Sequence, residues 1–109
     1  MSWLVRNGDV LATAELADAA QARRRGLLGR DSFAGALVIQ PCRNVHTARM
    51  RFPIDVAFCD AEGMVLRTVR MVPWRVSPYV RKAAFVIEAE AGAFDRWGLR
   101  AGDQLEVRA

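Results

Sequence analysis

The apolar residues of this chain arrive in short runs, and each run is cut off by turn residues before it could make a long helix. Ala36-Leu37-Val38-Ile39 ends at Pro41, and its length and composition suit a buried strand. Ile54 to Cys59 alternates, with Ile54, Val56 and Phe58 on one face and Asp55, Ala57 and Cys59 on the other. Asp60-Ala61-Glu62-Gly63 supplies the next turn, and Met64 to Val72 reads as the returning strand of a hairpin. At the N-terminus, Trp3-Leu4-Val5, the tight turn Asn7-Gly8-Asp9 and Val10 to Leu16 read as a first hairpin. Asn44 to Met50, Ala84 to Ala89 and Gln104 to Val107 read as further strands, whereas Pro73 to Lys82 holds two prolines, fits neither period and reads as a loop.

One stretch favours a helix. Asp18 has the chemistry of an N-cap, with Gln21 as its capping-box partner, and Ala19 to Arg25 are good helix formers stopped by Gly26. That helix would turn Leu16, Ala20 and Leu27 to the core and its arginines to water. Ala93 to Trp97 reads as a single helical turn closed by Gly98. The expected fold is mainly β (α+β): a small β-barrel or β-sandwich of 6–8 short strands, with one short helix after the first hairpin. Its 109 residues fit one domain, 1–109.

No apolar run approaches the length of a membrane span, and the opening Met-Ser-Trp-Leu-Val-Arg has no basic and apolar signal pattern, so the expected location is the cytoplasm. Cys42 and Cys59 are too far apart for a CxxC pair; they read as small hydrophobes, with a single bridge as the alternative. Charge is unevenly spread. Residues 19–54 carry seven arginines against Asp31 alone, and residues 64–87 carry Arg67, Arg70, Arg75, Arg81 and Lys82 with no acid. Fifteen of the sixteen basic residues are arginine, a side chain suited to planar contact with phosphate or carboxylate.

Four blocks carry a family resemblance: Arg24-Arg25-Gly26-Leu27-Leu28-Gly29-Arg30, Met50-Arg51-Phe52-Pro53-Ile54-Asp55-Val56-Ala57-Phe58, Val86-Ile87-Glu88-Ala89-Glu90-Ala91-Gly92 and Gly98-Leu99-Arg100-Ala101-Gly102-Asp103. In this order they resemble the prokaryotic family called domain of unknown function 192, over about residues 10–107. The usual second block of that family, Trp-Met-Lys-Asn-Thr, is here His46-Thr47-Ala48-Arg49-Met50, while its Pro-x-Asp is kept as Pro53-Ile54-Asp55. The resemblance implies a β-rich fold with a helix after the first hairpin, and it implies no activity.

Asp55 is the residue with most chemical interest, because a carboxylate on an inward strand face must find partners. It reads either structurally, as an acceptor of backbone N–H bonds after Pro53 or as the partner of an arginine, or as part of a polar pocket with His46 and Arg49. Trp74, Arg75, Tyr79 and Arg81 interleave aromatics with cations in the 73–82 loop and would form an adjacent flap. The leading expectation is a non-catalytic binding or accessory domain for a small polar or anionic ligand, with these seven residues as its site. One alternative is a small hydrolase or transferase using Asp55, or Cys42 with His46. Another is an electrostatic nucleic-acid binder, although no RRM, KH or helix-turn-helix pattern is present. Cys42, His46, Cys59 and Asp60 lack paired ligand spacing, and Gly98 to Asp103 lacks a phosphate-loop ending, so neither a metal nor a cofactor is expected.

Overall fold

The computed structural model describes all 109 residues. Asn7 and Gly8 both take positive φ, 53° and 83°, the geometry that lets a tight turn match the twist of its strands. That turn joins β1 (Ser2–Arg6) to β2 (Asp9–Ala17). A short helix α1 (Ala20–Arg25) and a loop then lead to β3 (Ala36–Ile39), which runs parallel to β2. β4 (Ile54–Cys59) and β5 (Val65–Met71) form a second hairpin, and β6 (Phe85–Glu90) inserts between β4 and β3. A second helix, α2 (Ala93–Trp97), precedes β7 (Leu105–Arg108), and the resulting sheet has the order β5-β4-β6-β3-β2-β1-β7.

The sheet curls until its two edges touch at one end. Val65 N–H donates to the Asp103 carbonyl (2.8 Å), Gly102 N–H to the Val65 carbonyl (2.8 Å) and Leu105 N–H to the Gly63 carbonyl (2.9 Å). Only glycine fits at position 63: its φ is +90°, and a Cβ there would lie 2.2 Å from the Leu105 carbonyl oxygen. The architecture is therefore a mostly β half-barrel of seven strands.

β3 and β4 are buried along their whole length and β6 at every residue but Glu90, because both faces of the sheet centre are covered. Val38, Ala57, Cys59 and Ile87 point into the curl, where Phe94 of α2 and Leu99 close the open end. Leu37, Ile39, Val56, Phe58 and Val86 point outward. Irregular chain covers this outer face, bringing Leu27, Val45, Met50 and Phe52 down onto it. Each large apolar side chain so buried contributes roughly 1.5–3 kcal/mol.

Several local expectations are corrected. Asn44 to Met50 is not a strand: it is a loop that makes one isolated bridge, His46 to Val76. The α1 cap is Ala19 with no side-chain cap bond, and the Asp18 carbonyl instead accepts from the Arg23 guanidinium. Leu16 and Ala20 are exposed, and of that trio only Leu27 reaches the core. The helical turn expected over Ala93 to Trp97 is present as α2, with Gly98 as its C-cap. Both cysteines are free thiols.

Candidate functional site

α1 ends in Arg23, Arg24 and Arg25, and Gly26 then turns the chain down onto the outer face of the sheet. Gly26 closes the helix by donating to the Ala22 carbonyl (3.0 Å) at φ +51°. Opposite, residues 40–50 are laced to residues 72–84. Cys42 N–H donates to the Ala84 carbonyl (3.2 Å), Val80 N–H to the Arg43 carbonyl (2.9 Å), and Val45 N–H to Ser77 Oγ (2.9 Å). Between these walls lies an open cleft of about 1110 Å³. Arg23, Arg24, Arg25 and Arg43 line it, with Leu27, Ile39, Val45, Met50 and Ala83 supplying apolar surface.

None of these four arginines forms a salt bridge. The ion pairs of the chain involve Arg6, Arg30, Arg51, Arg70 and Arg108 instead. The single acid lining the cleft is Glu88, on β6. Strand pairing sets it between Leu37 of β3 and Val56 of β4, in the middle of the outer apolar face. Its Oε1 is the one buried side-chain oxygen or nitrogen of the protein without a hydrogen-bond partner. Burial pushes the Glu88 carboxyl up to about 7, against a weaker downward pull from the Leu27 backbone N–H.

The seven residues expected to form a site do not converge. His46 and Tyr79 line the cleft. Arg49, Trp74, Arg75 and Arg81 are exposed and do not line it. Asp55 lies on the opposite face of the sheet, where its Oδ1 accepts from Arg70 Nε (3.0 Å) and its Oδ2 from the Gly92 and Phe94 N–H groups (2.9 and 3.1 Å). Gly92 gives α2 no side-chain cap, so Asp55 caps that helix from a neighbouring strand. Both features of its structural reading, backbone N–H bonds and an arginine, are present together.

No nucleophile is activated at the cleft. The Cys42 thiol donates to the Asn44 carbonyl (3.1 Å), and burial raises its pKa, outweighing a lowering contribution from that same contact. His46 Nδ1 accepts from the Ala48 N–H (3.3 Å), and Asp55 is engaged across the sheet. Cys59 faces the inner core, its thiol pushed up to about 12 by burial, with Asp60 adding to the effect. Cys42, His46, Cys59 and Asp60 do not gather into a metal-binding group.

Thr47 was missed by sequence reasoning and organises the flap. It is fully buried, and its hydroxyl donates to the Val72 carbonyl (2.7 Å) while accepting from the Arg75 N–H (2.8 Å). Its own N–H donates to the Arg75 carbonyl (2.8 Å), and its carbonyl accepts from Trp74 N–H (2.9 Å). These bonds hold Arg49 and Trp74 at positive φ, 63° and 67°, which side chains rarely adopt. Glu88 carried one legible signal: it is the only charged residue in the run Phe85 to Ala89, sharing alternation parity with Val86.

Two solved structures share this architecture. A protein of unknown function from Novosphingobium aromaticivorans superposes with a TM-score of 0.82 at 19% identity, over 96% of this chain and 82% of that one. A Sinorhizobium meliloti protein described as a "putative transcription regulator" also gives 0.82, at 26% identity over 97% and 91% of the two chains. A UPF0127 protein of Pyrococcus furiosus is 32% identical over 63 residues, which span 58% of this chain and 54% of that protein. No helix here is long and apolar enough to cross a membrane. The family model described as "Uncharacterized ACR" matches residues 3–107, so the chain belongs to the DUF192 family.

Proposed function

We propose that the cleft between α1 and the 40–50 loop binds a small organic oxyanion, a phosphate or carboxylate carried on an apolar body. One observation carries this reading: four arginines converge on one cleft and none of them has an acidic partner. Arg23, Arg25 and Arg43 each place one N–H on a backbone carbonyl, and the donors left over, with those of Arg24, match phosphate and carboxylate. The apolar floor gives the remainder of such a ligand somewhere to be buried. His46 and Tyr79 belong to this site; Arg49, Trp74, Arg75 and Arg81 belong to the neighbouring flap. The role proposed is binding, because burial raises the pKa of the nearby Cys42 thiol, the opposite of what activates a nucleophile.

Thermal melts against sulfate, phosphate, a sugar phosphate, dicarboxylates, divalent metals and a short oligonucleotide test it. An oxyanion at about 100 times its Kd should stabilise by about 2.7 kcal/mol, a shift of several degrees at this size. Replacing both Arg23 and Arg43 with alanine should abolish the shift. A flat response to every oxyanion would refute the reading.

A second reading rests on the same charge. The 40–50 and 72–84 loops, drawn from the two basic segments, are hydrogen-bonded side by side, and the name of the Sinorhizobium neighbour points toward nucleic acid. Helices of six and five residues are short for reading base edges, so contact would be to phosphates. Oligonucleotide affinity that falls steeply with added salt would favour it over the small-ligand reading.

A further inference from the structure

The four arginines account for a charge in the cleft but leave Glu88 unexplained. Its burial is costly, and a buried oxygen without a partner calls for an explanation. Oε1 is unpartnered, Glu88 is 3% exposed, and the residue lines the cleft. The chain packs closely over it: a Cβ at Gly26 would stand 3.0 Å from Oε1, so any side chain at position 26 would press on that oxygen.

An ionised Glu88 would oppose the ligand the arginines attract. In its acid form it does the reverse, because a carboxyl O–H donates a short, charge-assisted bond to an oxyanion. Oε1 is the carboxyl oxygen that lies nearer Gly26 and has no partner within the protein, so it is the one free to carry the proton. We propose that neutral Glu88 donates a hydrogen bond from Oε1 to the oxyanion held by Arg23, Arg24, Arg25 and Arg43, so that the ligand binds together with one proton from solvent. This inference rests on the oxyanion reading of the cleft and adds its protonation state.

The charged and titratable groups facing Glu88 are few. α1 supplies Arg23, Arg24 and Arg25; the 40–50 loop supplies Arg43, Cys42 and His46; the following loop supplies Tyr79. On the sheet itself its cross-strand neighbours are the apolar Leu37 and Val56. Arginine does not titrate in the working range, and a buried neutral thiol does not gain charge on acidification. Histidine is the side-chain type that would give the same sign of pH dependence, so His46 is the necessary control.

The experiment is isothermal titration with benzenesulfonate and with sulfate, whose charges do not change between pH 6 and 8. With the carboxyl near 7 in the free protein, affinity should be about tenfold weaker at pH 8 than at pH 6, by proton linkage. At pH 8, titrations in two buffers of different ionisation enthalpy should show uptake of close to one proton per anion, a readout that needs no variant. Glu88→Gln should bind with the same affinity at both pH values and take up no proton, while His46→Asn should keep the pH dependence. Equal wild-type affinity at both pH values, absence of proton uptake, or pH dependence that survives in Glu88→Gln or vanishes in His46→Asn each overturns the proposal while leaving anion binding intact. Failure of the wild-type protein to bind either anion at any pH overturns the oxyanion reading itself, and this inference with it.

Discussion

Asp55 and Glu88 sit on adjacent strands, one register step apart, and each is 3% exposed. They face opposite sides of the same sheet, and their surroundings could hardly differ more. Asp55 has an arginine and two backbone N–H groups. Glu88 has an oxygen with nothing on it. Equal burial therefore carries opposite meanings: a carboxylate whose hydrogen bonds are met holds the fold together, whereas one left unmet in an otherwise paired structure marks a place where something else arrives.

Mutation should separate the two most widely. Asp55→Ala removes the cap of α2 and leaves the buried Phe94 N–H and the part-buried Gly92 N–H without acceptors, and we expect a loss of about 3 kcal/mol in urea unfolding. Glu88→Leu, by contrast, places an apolar group on an apolar face, so stability at pH 8 should be unchanged or higher. A loss at Glu88 as large as that at Asp55 would erase the distinction.

The same contrast has a pH signature. The Glu88 carboxyl titrates near 7 when folded against an ordinary value of 4.5, so the native state binds more protons than the unfolded state between these limits. Stability from this group is fully present below pH 4.5, is lost as pH rises toward 7, and is level above it. The shift corresponds to about 3 kcal/mol at most. Wild-type melts across this window should carry the slope, and those of Glu88→Gln should lack it.

The flap offers smaller tests. Thr47→Val leaves the Arg75 N–H without its acceptor and should cost about 1–2 kcal/mol, with faster hydrogen exchange at the Trp74 and Arg75 amides. Arg49→Gly relieves a positive φ of 63° and should stabilise by up to about 1 kcal/mol. If Arg49→Gly is neutral, the loop does not hold that residue under strain.

The sequence made the strands easier to read than the site, for physical reasons. Alternation in Ile54 to Cys59 fixes which residues share a face, and the Asn7-Gly8 turn fixes the first hairpin. Both are local signals. Val45 and Thr47 favour strands, yet their hydrogen bonds run to residues 72–77, across a separation that no local pattern reveals. Arg23 to Arg25 look like the wet face of a helix, and only the placement of the 40–50 loop turns them into a cleft wall. Asp55 drew attention as an inward carboxylate, but its partner Arg70 depends on the β4–β5 register and its helix cap on α2, neither of which alternation supplies. Glu88 passed for an ordinary strand residue because burial on both faces of β6 is a property of the assembled sheet.

Carbon-13 NMR of the glutamate side-chain carboxyls, with Glu88 assigned by its absence in Glu88→Gln, tests the central distinction most directly. A Glu88 midpoint near 7, moving upward when benzenesulfonate fills the cleft, is the expected result. A midpoint close to the ordinary glutamate value, unmoved by the anion, would show a carboxylate already satisfied and would contradict both the contrast with Asp55 and the assignment of Glu88 as the proton donor of the cleft.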